Sequence, residues 1–279
     1  MEREIVRVHG VTKRGPSEQV HDKQIILQAD NYLQTTPFLV LSEDWFAAPR
    51  GFETHPHRGM QTVTFVLEGG LEHKDHTGGH SVLRAGDVQW MTAGRGVMHS
   101  EMPHEKEMAH TLQLWLNLPA KMKMTAARYV NQHAADVPVR SEGGVEVRVY
   151  AGRSSDASHP HGSDWPMTLL DIRMEPRKFL FQEVPAMYRG FVYLLEGSVR
   201  LGSDGTPVTA GQVAWFDPSL GDGDDTLTIA SDEKIVRLLL FAAPPIREPV
   251  AFGGPFVMNT QEEIQQAFAD YRSGKFLAG

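Results

Sequence analysis

The stretch Thr54-His55-Pro56-His57-Arg58-Gly59 sets two histidines one residue apart in a segment that otherwise reads as a strand. Along a strand, side chains at i and i+2 leave the same face, so both imidazoles project together. A second pair follows in Ala93-Gly94-Arg95-Gly96-Val97-Met98-His99-Ser100-Glu101, where His99 and Glu101 again stand at i and i+2. If this part of the chain closes into a small barrel, both faces can turn inward and meet around one point. Three imidazoles and a carboxylate suit a divalent first-row metal such as iron, copper, nickel, manganese or zinc. Four protein ligands leave positions open on a five- or six-coordinate ion, as a catalytic site requires. Gly94 and Gly96 would let the backbone bend tightly just before His99.

The rest of the composition narrows the chemistry. Cysteine is absent, so disulfides, thiolate ligands and cysteine nucleophiles are excluded, and any metal must sit among nitrogen and oxygen donors. The formal net charge of −8 argues against nucleic acid or anionic lipid as a direct partner. The start, Met1-Glu2-Arg3-Glu4, is charged with no apolar run behind it, and no stretch approaches membrane-spanning length. A cytoplasmic protein is expected. With 279 residues, 41% of them hydrophobic, the chain can bury one large or two medium cores.

The elements that must position the four residues are strands. Period-2 segments dominate both halves, separated by turns rich in Gly, Pro and Asp, which predicts an all-β fold. One helix stands out: Thr260 as N-cap with Glu263 three residues on, a stripe of Ile264, Phe268 and Tyr271, and Gly274 as the stop. An internal repeat aligns Leu67-Glu68-Gly69 with Leu195-Glu196-Gly197, and Ala85-Gly86-Asp87-Val88 with Ala210-Gly211-Gln212-Val213. The chain therefore reads as a duplicated β-barrel unit, with domains at 1–135 and 136–279 and a polar linker from Asn131 to Gly144. In the second copy, Glu183 and Pro185 stand opposite His55 and His57, and Asp224 and Thr226 opposite His99 and Glu101. The histidine pattern is gone there, so one copy carries the chemistry.

Other polar features read as scaffold. His73, His76 and His80 fall in a hairpin with Asp75 and two glycines and are expected in a solvated turn. His159 and His161 repeat the His-x-His spacing without a downstream His-x-Glu and read as linker. Gly221 to Asp225 lacks the ligand spacing of a calcium loop and reads as a turn. On the segment around Trp115, Gln113, Trp115 and Asn117 share one face and Leu112, Leu114 and Leu116 the other; Gln113 either reaches the cavity or faces solvent.

Residues 55–103, together with Leu112 to Pro119 and the late Gly254 to Phe268, resemble the pirin family, bicupins of the cupin superfamily. The resemblance implies two tandem cupin-type jelly-roll barrels with a short C-terminal helix and a single metal in the N-terminal barrel. It carries the family's ligands onto His55, His57, His99 and Glu101. The glutamate common four positions after His-x-His in cupins at large is Gln61 here. Two functions are implied. One is a quercetin 2,3-dioxygenase-like enzyme, with iron foremost among iron, copper, manganese, nickel, cobalt and zinc. It would open a flavonol or similar phenolic with O2 while Glu101 accepts the substrate's proton. The other is a non-catalytic, metal-binding regulator that presents its surface to a protein partner. Metal binding needs neutral imidazoles, so affinity is expected to fall below pH about 6.5.

Overall fold

The computed structural model describes residues 1–28, 31–105, 107–159 and 162–277. It divides into two compact units: Thr12–Ala134, Gly162–Asp164 and Ile246–Gly279 form one, and Met1–Val11, Ala135–His161 and Trp165–Pro245 the other. This division departs from the expected 1–135 and 136–279 at both ends. Strand Arg7–Gly10 pairs antiparallel with Gln212–Phe216, which draws the first residues into the unit built mainly from the second half of the chain. At the other end, Val257 N–H donates to Arg58 C=O at 3.0 Å, and Val257 packs with Tyr32, Leu39 and Met60. The last residues thereby join the unit that carries the histidines. The expected linker is also shorter than read, since Arg128–Gln132 and Val139–Glu142 are both strands in ladders. No helix among the described residues is long and apolar enough to cross a membrane.

The histidine-bearing unit is a two-sheet jelly roll. Its seven-stranded sheet runs in the order Arg128–Gln132, Val88–Thr92, Met60–Glu68, Ala109–Asn117, Phe38–Phe46, Asp22–Leu27, Thr12–Arg14. The facing sheet runs Phe52–His57, Val97–Pro103, Gly70–Asp75, His80–Arg84. One end of the space between them is sealed by Phe46, Val66, Leu71, Leu83 and Ala109. Elsewhere between the sheets polar side chains, among them His57, Glu101 and Gln113, line a cavity.

The other unit has the same plan with a different filling. An eight-stranded sheet faces the four strands Phe179–Pro185, Asp224–Ser231, Ser198–Leu201 and Thr206–Thr209. Between them lies a continuous aliphatic core drawn from both sheets, including Val147, Leu170, Ile172, Leu194, Leu227, Ile229 and Leu238. The duplication is visible in backbone detail. Gly69 and Gly197 adopt φ of +72° and +83°, and a Cβ there would meet the carbonyl oxygens of Met108 and Ile235 at 2.1 and 2.4 Å. Only glycine fits that turn, in both copies. The capping box of the C-terminal helix, Gln261–Arg272, forms as read: Thr260 accepts from Glu263 N–H, and Glu263 Oε2 accepts from Thr260 N–H. Asp225 departs from the solvated turn expected for Gly221 to Asp225, because it is buried between the Met1 amine and Arg3.

Candidate metal centre

The two histidine-bearing strands are direct neighbours rather than faces meeting across a barrel. His99 lies opposite His55 in the ladder between Phe52–His57 and Val97–Pro103, and His57 opposite Val97. A bulge between His99 and Glu101 breaks the register, leaving Glu101 opposite Phe52 on one side and His73 on the other. The turn before His99 is tight. Gly94 C=O accepts from Gly59 N–H at 2.7 Å, and a Cβ at Gly94, where φ is +50°, would sit 2.2 Å from Thr125 C=O. Here glycine is required for the close approach.

One ligand atom from each of His55, His57 and His99 falls within 4.8 Å of the others. Two of the rings are oriented from behind: His55 Nδ1 lies 2.8 Å from Glu53 C=O, and His57 Nδ1 lies 3.3 Å from Pro255 C=O. Each Nδ1–H thus has an acceptor and each Nε2 a lone pair to offer. His99 differs, since both its ring nitrogens are buried without a hydrogen-bond partner. Burial, then the neighbouring His55, pushes His57 down to about 3, against a slight lift from Pro255 C=O. His99 is held well below the ordinary histidine range by burial, then by His57, His55 and His73. Three imidazoles gathered this closely, two of them buried and held toward the neutral form, make a donor set that could hold a divalent transition metal.

Glu101 is buried on the same sheet but stands outside the three-histidine set. Its Oε2 accepts from Gln113 Nε2 at 2.7 Å, and its Oε1 lies 3.0 Å from the Thr64 hydroxyl. Gln113 therefore faces the cavity, the first of the two orientations left open by the sequence. The cavity, about 280 Å³, is lined by His55, His57, Glu101 and Gln113, with Phe52 and Trp115 as aromatic walls and Lys23 at its edge. Lys23 Nζ is paired with buried Asp44 at 2.9 Å.

Gln61 plays no part in this cavity. It lies on the opposite face of its strand from Thr64, bonded to Thr92 and Ser163. His73 contradicts the solvated-turn reading: it is buried, 1% exposed, with its ring 5.2 Å from that of His99. His76 and His80 remain exposed in the hairpin. Of the second His-x-His, His159 lies on a short strand beside Gly152, and His161 is outside the described residues. Sequence reasoning missed His73 because a polar hairpin hides which of its residues alternate inward; the strand parity Leu71, His73 was the available signal.

Fold and site together define a bicupin with a histidine-lined pocket in one barrel. Residues 12–116 match the Pirin family model and residues 169–277 that of the Pirin C-terminal cupin domain. The chain belongs to the pirin family. Pirin-like protein 2 of Arabidopsis thaliana is 44% identical over 245 residues, covering 86% of this chain and 75% of the relative. Human pirin is 39% identical over 244 residues, covering 86% and 82%. A quercetin 2,3-dioxygenase from Acinetobacter baumannii superposes with a TM-score of 0.88 at 31% identity, covering 99% of both chains.

Proposed function

We propose that this protein is a metal-dependent dioxygenase of flavonols or related phenolics, with one divalent ion held by His55, His57, His99 and Glu101. The observation that supports it most is the cluster of three imidazoles, two of which, His55 and His57, line a cavity shared with Glu101, Phe52 and Trp115. The likeness to a quercetin 2,3-dioxygenase over the whole chain supports the substrate class. Iron leads the candidate metals.

When bound, the metal would supply Lewis acidity to a phenolic oxygen and a redox partner for O2. The chain's own residues supply the rest. Phe52 and Trp115 line the cavity and offer aromatic surface against which a flat phenolic would pack and be oriented. Glu101 accepts the hydroxyl proton of the substrate, and its surroundings accommodate that proton. The Thr64 hydroxyl has one hydrogen and two acceptors in reach, Glu101 Oε1 at 3.0 Å and Gln113 Oε1 at 2.9 Å. With a proton on Oε1, Glu101 donates to Thr64 Oγ1, Thr64 donates to Gln113 Oε1, and Gln113 Nε2 still donates to Oε2. The ring closes without a new unpaired group.

The test is to load the purified protein with Fe2+, Mn2+, Co2+, Ni2+ or Cu2+ and follow flavonol absorbance and O2 uptake together after adding quercetin. Equal consumption of both is expected. Glu101→Gln is expected to keep the flavonol-binding cavity and slow turnover by roughly 10²- to 10⁴-fold, the usual worth of a positioned base. Metal bound stoichiometrically with no flavonol loss for any ion would return the chain to the regulatory reading. In that case its surface would serve a protein partner.

A further inference from the structure

We infer that His73 is a positioning residue for the metal centre: its Nε2 accepts the ring N–H of His99 and so fixes which nitrogen His99 presents. The inference rests on the reading that His55, His57 and His99 hold a metal. Metal-bound histidines commonly donate their other ring N–H to an acceptor behind them, which sets tautomer and orientation. His55 has Glu53 C=O and His57 has Pro255 C=O for this purpose. His99 has neither, and both its nitrogens are buried and unpartnered. One of them can go to a metal. The other needs an acceptor.

His73 is built to be that acceptor. Gln89 Nε2 donates to Asn131 Oδ1 at 2.8 Å and to Ser81 Oγ at 3.2 Å, which turns Gln89 Oε1 toward His73 Nδ1, with which it is in close hydrogen-bond contact. An amide oxygen only accepts, so Nδ1 carries the hydrogen of His73. His73 Nε2 is then a bare lone pair, buried and without a donor. Thus an orphaned acceptor on one ring lies beside an orphaned donor on the next. The ring centres are 5.2 Å apart at 64°. An N–H···N contact of about 2.9 Å puts imidazole centres about 5 Å apart, so the separation already fits. Turning either ring about χ2, a soft torsion, aligns the pair. The chain Asn131, Gln89, His73, His99 would then be a continuous polar relay that orients the one histidine of the three that has no backbone carbonyl partner.

Three variants test this, with Zn2+ as a diamagnetic probe. His73→Phe keeps the ring volume and removes the acceptor. His73→Gln restores a donor for Gln89 and an acceptor for His99. Gln89→Leu leaves His73 in place and frees its tautomer. Zn2+ affinity by competition titration is expected to fall roughly 10- to 100-fold in His73→Phe, the usual cost of losing such an outer partner. It is expected to recover in His73→Gln and to fall by less in Gln89→Leu. In 15N-resolved spectra of the Zn2+-loaded wild type, an exchange-protected His99 ring N–H is expected, and it should vanish in His73→Phe. Wild-type affinity together with the same protected N–H in His73→Phe would overturn the inference. If His73→Phe does not fold, the protected signal in wild type and its loss in Gln89→Leu decide instead. A wild-type protein that binds no Zn2+ would instead sink the metal reading on which this one stands.

Discussion

At the scale of single residues, the fold spends stability to keep imidazoles uncharged. His57 falls to about 3 and His99 shifts the same way, each because burial penalises the imidazolium. Unfolded histidine titrates near 6.5. Between that value and about 3, the unfolded chain binds a proton at His57 that the folded one refuses. Stability of the metal-free protein is therefore full above pH 6.5 and declines as pH falls toward 3, by ~1.4 kcal/mol per pH unit for each such group. Urea midpoints of metal-free wild type and His57→Phe at pH 7, 5.5 and 4.5 measure this. The wild type is expected to lose stability more steeply, and parallel lines would refute it. The same shift means that protons compete with a metal for His57 only well below pH 6.5. Spacing alone does not reveal such a depression, since it arises from what the rest of the barrel packs around the ring.

At the scale of elements, the site depends on a strap added late in the chain. Pro255 C=O faces His57, Val257 N–H donates to Arg58 C=O, and Arg58 reaches Asp270 on the C-terminal helix at 2.7 Å. Lys123 ties these parts together. Its buried ammonium donates to Gly59 C=O at 2.8 Å, Val257 C=O at 3.0 Å and Asn117 Oδ1 at 2.6 Å. Burial, opposed by Glu248 and Glu263, pushes Lys123 down to about 7. Lys123→Met would strand three buried acceptors, so a loss of roughly 2–4 kcal/mol is expected despite the removal of a costly charge. Thermal unfolding with and without metal reads it, and an unchanged midpoint would show that the three carbonyls find other partners. Much of this level was legible beforehand. Strand alternation, the capping box and the glycine turns act within a few residues, so they leave local marks. The bulge at Ser100 and the inward turn of His73 do not, because each is set by which strand lies alongside.

At the scale of the whole molecule, a duplicated unit has divided its labour by filling. One barrel keeps polar side chains around the imidazoles, while the other closes over a core of aliphatic side chains. The repeat made this division readable, since Glu183 and Pro185 replace the histidines. The exchange of chain ends was not readable, because a four-residue strand that pairs some two hundred positions away carries no local signal. That exchange makes a prediction opposite to a cut at residue 135. Removing residues 246–279 takes the Pro255 carbonyl from His57 and uncovers Met60, Leu39 and Met98, which pack against Val257, Phe256 and Met258. Such a truncation is expected to abolish metal binding and aggregate, although it leaves every proposed ligand in the chain. Removing residues 1–11 instead strips the ladder beside Gln212–Phe216 and the Arg3–Asp225 pair from the other unit. It is expected to lower the unfolding temperature while leaving Zn2+ affinity within a few-fold of wild type. Affinity lost with the first residues and kept without the last would mean that the histidine cluster is not supported by the strap, and would require a different account of what holds its geometry.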